Sequence, residues 1–126
     1  MIERGGVYRI FFYQTQRGDR PVEEYLSGLD PRHRRRAAER LELLASEGPN
    51  LKRPYADVLV GPIRELRVGF GRLEHRILYY FVLGDAVMLL HAFTKKTAEV
   101  PRREIDVARV RMEEVKRRLA AGEALQ

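Results

Sequence analysis

The chain has 126 residues, enough for one domain of ordinary size and too few for two. It has no Cys, which excludes a disulfide scaffold, thiolate zinc sites and cysteine catalysis. Lys and Arg number 24 against 18 Asp and Glu, a net charge of +6, and 20 of those cations are Arg, whose planar fork fits phosphate and stacks on bases.

A polyanionic partner is therefore one expectation, and a merely solvated basic surface is the other. No apolar run approaches the roughly 18 residues that span a bilayer. Met1-Ile2-Glu3-Arg4-Gly5-Gly6 has no apolar stretch leading to a cleavage site, so a cytoplasmic protein is expected. A single domain over residues 1–126 is expected, fraying from about residue 120.

Val7 to Tyr13 is β-branched and aromatic and reads as a strand. Pro21-Val22-Glu23-Glu24-Tyr25-Leu26 opens a short helix, with Asp19 as its cap and two acids in its first turn. Asp30-Pro31 repeats that signal for a second helix. Its apolar positions Ala37, Leu41 and Leu44 are spaced at helical intervals, and Gly48-Pro49 stops it. Residues 49–61 read as a loop with a short extended piece at Val58 to Val60.

Three strands follow. Ile63 to Phe70 alternates, with Leu66, Val68 and Phe70 on one face and Glu65 and Arg67 on the other. Glu74 to Val82 is aromatic and β-branched, and Leu83-Gly84-Asp85 marks a hairpin. Ala86 to Phe93 is almost entirely apolar, as a strand covered on both faces would be. A basic loop, Thr94-Lys95-Lys96-Thr97, leads to Pro101 and a third helix. That helix carries an apolar stripe of Ile105, Ala108, Met112, Val115 and Leu119. The order β-α-α-β-β-β-α predicts an α+β fold: a mainly antiparallel sheet, a two-helix hairpin on one face and a C-terminal helix. Charged strand residues are expected to emerge on the face that the hairpin leaves open.

Arg67 and Arg76 interrupt two neighbouring strands. If both face a cleft, they suit phosphoryl chemistry, whose transition state gathers charge on non-bridging oxygens. The alternative is a cross-strand ion-pair ladder with Glu65 and Glu74. His91, in the most apolar strand, is either a proton-transfer group or a hydrogen-bonded core residue. Lys95 and Lys96 precede a helix N-terminus, which favours anions. Counting by two puts Tyr80 on the face of Arg76, where it could stack on a base, and leaves Tyr79 for packing. Arg32, Arg34, Arg35 and Arg36, and further along Arg102 and Arg103, are either a nucleic-acid surface or solvated helix faces. His33, His75 and His91 lack metal-ligand spacing, so neither metal nor other cofactor is expected.

From residue 61 onward the pattern becomes specific. Gly61-Pro62-Ile63-Arg64-Glu65-Leu66-Arg67 precedes His75-Arg76-Ile77-Leu78-Tyr79-Tyr80. Then come Leu89-Leu90-His91-Ala92-Phe93-Thr94-Lys95-Lys96-Thr97 and Pro101-Arg102-Arg103-Glu104-Ile105-Asp106-Val107-Ala108. In this order they resemble the phage-derived HigB-like toxins of the RelE/ParE superfamily, and Pro21 to Leu26 resembles the first helix of that family.

The resemblance implies a RelE-like fold and the toxin of a type II toxin–antitoxin pair. Its activity would be ribosome-dependent, metal-independent cleavage of mRNA, with the RNA 2′-OH attacking the adjacent phosphate. The implied partners are the ribosome, mRNA and an antitoxin with a helix-turn-helix domain, with DNA reached only through the antitoxin and no membrane contact. Arg67, Arg76 and Lys95 or Lys96 match basic positions of RelE-like nucleases. Relatives also carry a C-terminal Tyr. No Tyr follows Tyr80 here, which leaves His91, Lys95 or Tyr80 in its place. The competing functions are a ParE-like inhibitor of DNA gyrase and a basic nucleic-acid-binding domain without chemistry.

Overall fold

The computed structural model describes residues 7–126. The chain forms β1 (Arg9–Phe12), α1 (Pro21–Ser27), α2 (Pro31–Glu47), β2 (Ala56–Val60), β3 (Ile63–Phe70), β4 (Leu73–Val82), β5 (Ala86–Lys95) and α3 (Arg102–Ala120). The fold is α+β, and it departs from the expected order by one element. Four strands, not three, follow the helix pair, because the extended piece expected at Val58 to Val60 within a loop is part of a strand, residues 56–60, that pairs with β3. The reason lies in its position. β2 is an edge strand with a register irregularity between Val58 and Val60, so only one side of it is held.

The five strands form one mixed sheet in the order β1-β5-β4-β3-β2. β1 runs parallel to β5, and every other pair is antiparallel. β5 therefore lies inside the sheet, as its apolar sequence requires. β5 also extends through Thr94 and Lys95, so Lys95 is the last residue of a strand and not part of the expected loop.

Both faces of the sheet are covered. On one face Ile10, Phe12, Leu66, Val68, Ile77, Tyr79, Val87 and Leu89 pack against Val22 and Leu26 of α1 and Ala37, Leu41 and Leu44 of α2. On the other, Phe11, Leu78, Tyr80, Met88, Leu90 and Phe93 pack against Ala108, Met112 and Val115 of α3. The second face is thus not left open by the helix hairpin. α3 lies over β5 and β4, and on the β3 part of that face Ile63 and Glu65 are buried while Arg67 stays partly exposed.

Local chemistry sets the ends of these elements. Asp30 caps α2, its carboxylate accepting from the Arg32 amide at 2.9 Å. Asp19 does not cap α1. Arg20 holds that position, and Glu24 reaches back to its amide at 3.1 Å. Gly48 ends α2 with φ +54°, and a methyl group there would sit 2.2 Å from the Tyr8 ring, so the chain can turn only because that residue has no side chain. After Ala120 the helix ends, and Leu125 packs against the second core. None of the described helices is long and apolar enough to cross a membrane.

Leu41 is 1 % exposed between α2 and the sheet. Leu41→Ala is expected to lower unfolding stability by about 2–5 kcal/mol in a urea titration; a loss below about 1 kcal/mol would place α2 elsewhere.

Candidate nucleic-acid interface

Arg67 of β3 and Arg76 of β4 are direct cross-strand partners, and Arg76 in turn faces Phe93 of β5. Both arginines belong to the row that runs along the α3 face of the sheet. They do not face an open cleft together. The carboxylate of Glu65, itself buried, accepts from Arg76 Nε at 2.8 Å and from Arg67 Nε at 3.2 Å with one oxygen. Arg76 also meets Glu74 at 2.7 Å, and the second partner of Arg67 is Asp57 at 3.7 Å. The arrangement is the cross-strand ion-pair alternative, and the two arginines differ in depth. The Arg76 side chain is 5 % exposed and the Arg67 side chain 30 %. Arg76 is an internal strut, and Arg67 is the guanidinium that solvent and a ligand can reach.

Glycine makes room for this cluster. Gly69 lies opposite Glu74 across the β3–β4 pair, and a Cβ on it would come within 2.9 Å of the Glu74 carboxylate. The guanidiniums of Arg53 and Arg67 beside Asp57 bear on the rim of the cluster. The hydrogen bond from Arg53 above all, then that from the Val58 amide, holds the Asp57 carboxyl below its ordinary value.

The other cations singled out in the sequence lie toward the same end of the sheet. Lys95 stands opposite Glu74 at the end of β5, its ammonium donating to the Ala98 carbonyl at 2.9 Å, and Lys96 follows, exposed. Arg32 and Arg36, on the first turns of α2, lie over the Phe70 ring at 5.6 and 5.3 Å. Arg36 also donates to the Gly69 carbonyl at 3.1 Å. Arg34 folds back onto the Ser27 carbonyl at 3.0 Å, while Arg35 is exposed. Arg102 and Arg103 are exposed at the start of α3, whose Glu104 is anchored on β5. His33, inside the basic run of α2, points inward and is buried.

His91 is held on both sides. A bulge between Leu78 and Tyr79 in the β4–β5 register brings Leu90 and His91 onto the same face. His91 Nε2 donates to Glu104 at 2.8 Å, its ring stacks on Phe93, and the guanidinium of Arg111 stands 3.4 Å from Nδ1. Burial pushes its pKa below the ordinary 6.5, against the pull of Glu104. The residue is a neutral joint between α3 and the sheet. Nothing in its spacing could have shown Glu104 as its partner, 13 residues away on another element.

Tyr80 does share a face with Arg76, as alternation predicts, but α3 covers it. It is 4 % exposed, and burial pushes its hydroxyl up to about 12. It cannot stack on a base; Tyr79, on the opposite face, is equally enclosed. Among the described residues no three metal-ligating side chains cluster. A cleft of about 890 Å³ lies at the β1 edge, beside Tyr13 and Arg118, away from Arg67.

A mixed sheet with helices on both faces and a group of cations at one end makes a small basic α+β domain compatible with a RelE-like fold. Residues 24–113 match the family described as phage derived protein Gp49-like (DUF891), and the chain belongs to that family, which is toxin-like and related to RelE. No curated protein matches the chain.

Arg76→Ala strips Glu65 and Glu74 of their buried partner and is expected to cost about 3–5 kcal/mol of stability. Arg67→Ala, at the accessible side, is expected to cost less than about 1 kcal/mol. Denaturant unfolding of the two variants checks the difference; equal losses would mean that the two arginines are equivalent.

Proposed function

We propose that the chain is the toxin of a type II toxin–antitoxin pair of the HigB-like kind. Its activity is metal-independent endonucleolytic cleavage of mRNA on the ribosome, and its partner is an antitoxin with a helix-turn-helix domain. One observation carries the reading: cations from the ends of β3 and β5 and from the starts of α2 and α3 share one end of the molecule, with Arg67 held outward by a buried carboxylate.

In this reading the RNA phosphate sits between Arg67 and the Lys95–Lys96 pair. The RNA 2′-oxygen attacks phosphorus and its proton passes to water. The bond from phosphorus to the 5′-oxygen breaks, and a lysine ammonium protonates the departing oxygen. The products are a 2′,3′-cyclic phosphate and a 5′-hydroxyl. Arg67 stabilises the charge that grows on the non-bridging oxygens, and the ribosome supplies alignment of the message. Arg76 and His91 act from behind the site: Arg76 fixes Glu65, and His91 fixes the start of α3. Arg32, Arg35, Arg36, Arg102 and Arg103 would hold flanking phosphates, which makes affinity salt-dependent.

A second reading, a basic nucleic-acid-binding domain without chemistry, is favoured by one observation. Arg76 and both nitrogens of His91 are already engaged inside the protein.

Primer extension on translated messages separates the two. The wild-type chain is expected to cut them, and Arg67→Ala to cut about 10²–10³-fold more slowly. Each of Lys95→Ala and Lys96→Ala should lower the salt slope of RNA binding by about 1. RNA binding with messages left intact would establish the second reading. Intact messages together with blocked supercoiling would point to gyrase as the target.

A further inference from the structure

Through the largely apolar layer between the sheet and α1 and α2 runs one continuous polar chain. His33 Nδ1 of α2 lies 3.0 Å from His75 Nε2 of β4. His75 Nδ1 lies 2.6 Å from the Tyr25 hydroxyl of α1, and that hydroxyl lies 2.7 Å from Thr94 Oγ1 of β5. Four elements are joined by three hydrogen bonds. His75 is 2 % exposed and His33 9 %, so water does not stand in for a lost partner. The proposed RNA-cleaving machinery uses none of these four groups.

The chain has room for a limited number of protons. With both rings neutral, the hydrogens can run from Thr94 through Tyr25 and His75 to His33, or all the way back. One added proton is also accommodated. A cationic His33 then donates Nδ1–H to His75, His75 donates to Tyr25, and Tyr25 donates to Thr94. A second added proton has no place. Both ring nitrogens that face each other would then carry hydrogen across a 3.0 Å gap, and two cations would be confined in an apolar layer.

We propose that the His33–His75 contact is a proton-sensitive latch, which seats the α1–α2 pair on the sheet while the two rings share at most one added proton and releases that end of the pair when both are charged. The groups around it are of both signs. Arg32 and Arg36 of α2 lie over the Phe70 ring, against which His33 packs. Asp30 stands at the start of α2, and Glu74 beside His75 favours a positive charge on that ring. Tyr25 of α1 keeps its proton, because burial raises its hydroxyl above the ordinary value. Lys95 of β5 stands opposite Glu74.

The direction of the pH effect follows. Burial above all, then the neighbouring His33, lowers the His75 pKa from 6.5 in the folded chain. The unfolded chain therefore binds the proton more readily. The latch is fully effective above pH 6.5, and its contribution is lost as the pH falls below that value.

The test is a pH titration of the whole protein by NMR, reading the imidazole Cε1–H signals and amide exchange corrected for intrinsic rates. The two rings should titrate in two steps, with midpoints more than about one pH unit apart. Opening of α1 and α2 amides should rise at least about tenfold from pH 7 to pH 5, while amides of β3 and β4 stay protected. His33→Gln puts an uncharged side chain at a helix position that suits it and should weaken the pH response of α1 and α2, leaving only the part that burial of His75 by itself produces. Independent titration of both rings near pH 6.5 would overturn the latch, and so would an unchanged response in His33→Gln. If that variant does not fold, the wild-type titration decides alone.

Discussion

A single carboxylate oxygen of Glu65, inside the protein, accepts from the guanidiniums of two neighbouring strands. A charge buried this deeply persists only when paired and hydrogen-bonded. The cost of leaving it unpaired fixes both arginines. Because Arg76 also engages Glu74, its fork is spent internally, and Arg67 alone keeps an accessible side. What the solvent meets at this end of the sheet is thus set by a pairing that lies beneath it.

The same end is where the helices are fastened. On the α3 face the joint is His91 with Glu104, and on the opposite face it is His33 with His75 and Tyr25. Elsewhere the interfaces are mostly apolar, and apolar contact is non-directional; the further polar contacts include Arg36 on the Gly69 carbonyl, Arg111 on the Leu90 carbonyl and the Tyr13 hydroxyl on Glu114. These polar joints specify how each helix meets the sheet. They also place the first turns of α2 and α3, with Arg32, Arg36, Arg102 and Arg103, beside the strand ends that carry Arg67 and Lys95. The basic character of the chain becomes a local surface only because the helix starts and strand ends coincide.

Periodicity carried most of this fold in the sequence. The alternation of Ile63 to Phe70, the apolar run from Ala86 to Phe93 and the stripe Ala108-Met112-Val115 each reappear as buried faces. β2 was legible only in part, as an extended piece at Val58 to Val60, because an edge strand between Pro54 and Gly61 with one side exposed has no strong pattern of its own. The docking of α3 was hidden too. An apolar stripe says that a helix must be covered, but not by what. That gap accounts for Tyr80: counting by two gives its face correctly, and only the position of α3 shows that the face is closed there. The cation cluster was legible as residue types, whereas the division of labour between Arg67 and Arg76 depends on Glu65 and Glu74 and on how deeply each side chain sits. The pairing of His33 with His75 spans 42 residues and left no local trace.

The most direct test is to follow the arginine Nε–H signals by NMR while single-stranded RNA is added to the protein. Arg67, Arg32 and Arg36 should shift with RNA, and the Arg76 signal should stay in place and remain protected from solvent. A shift at Arg76 with Arg67 unmoved would contradict the account, because the strut and the ligand-facing group would then have been exchanged.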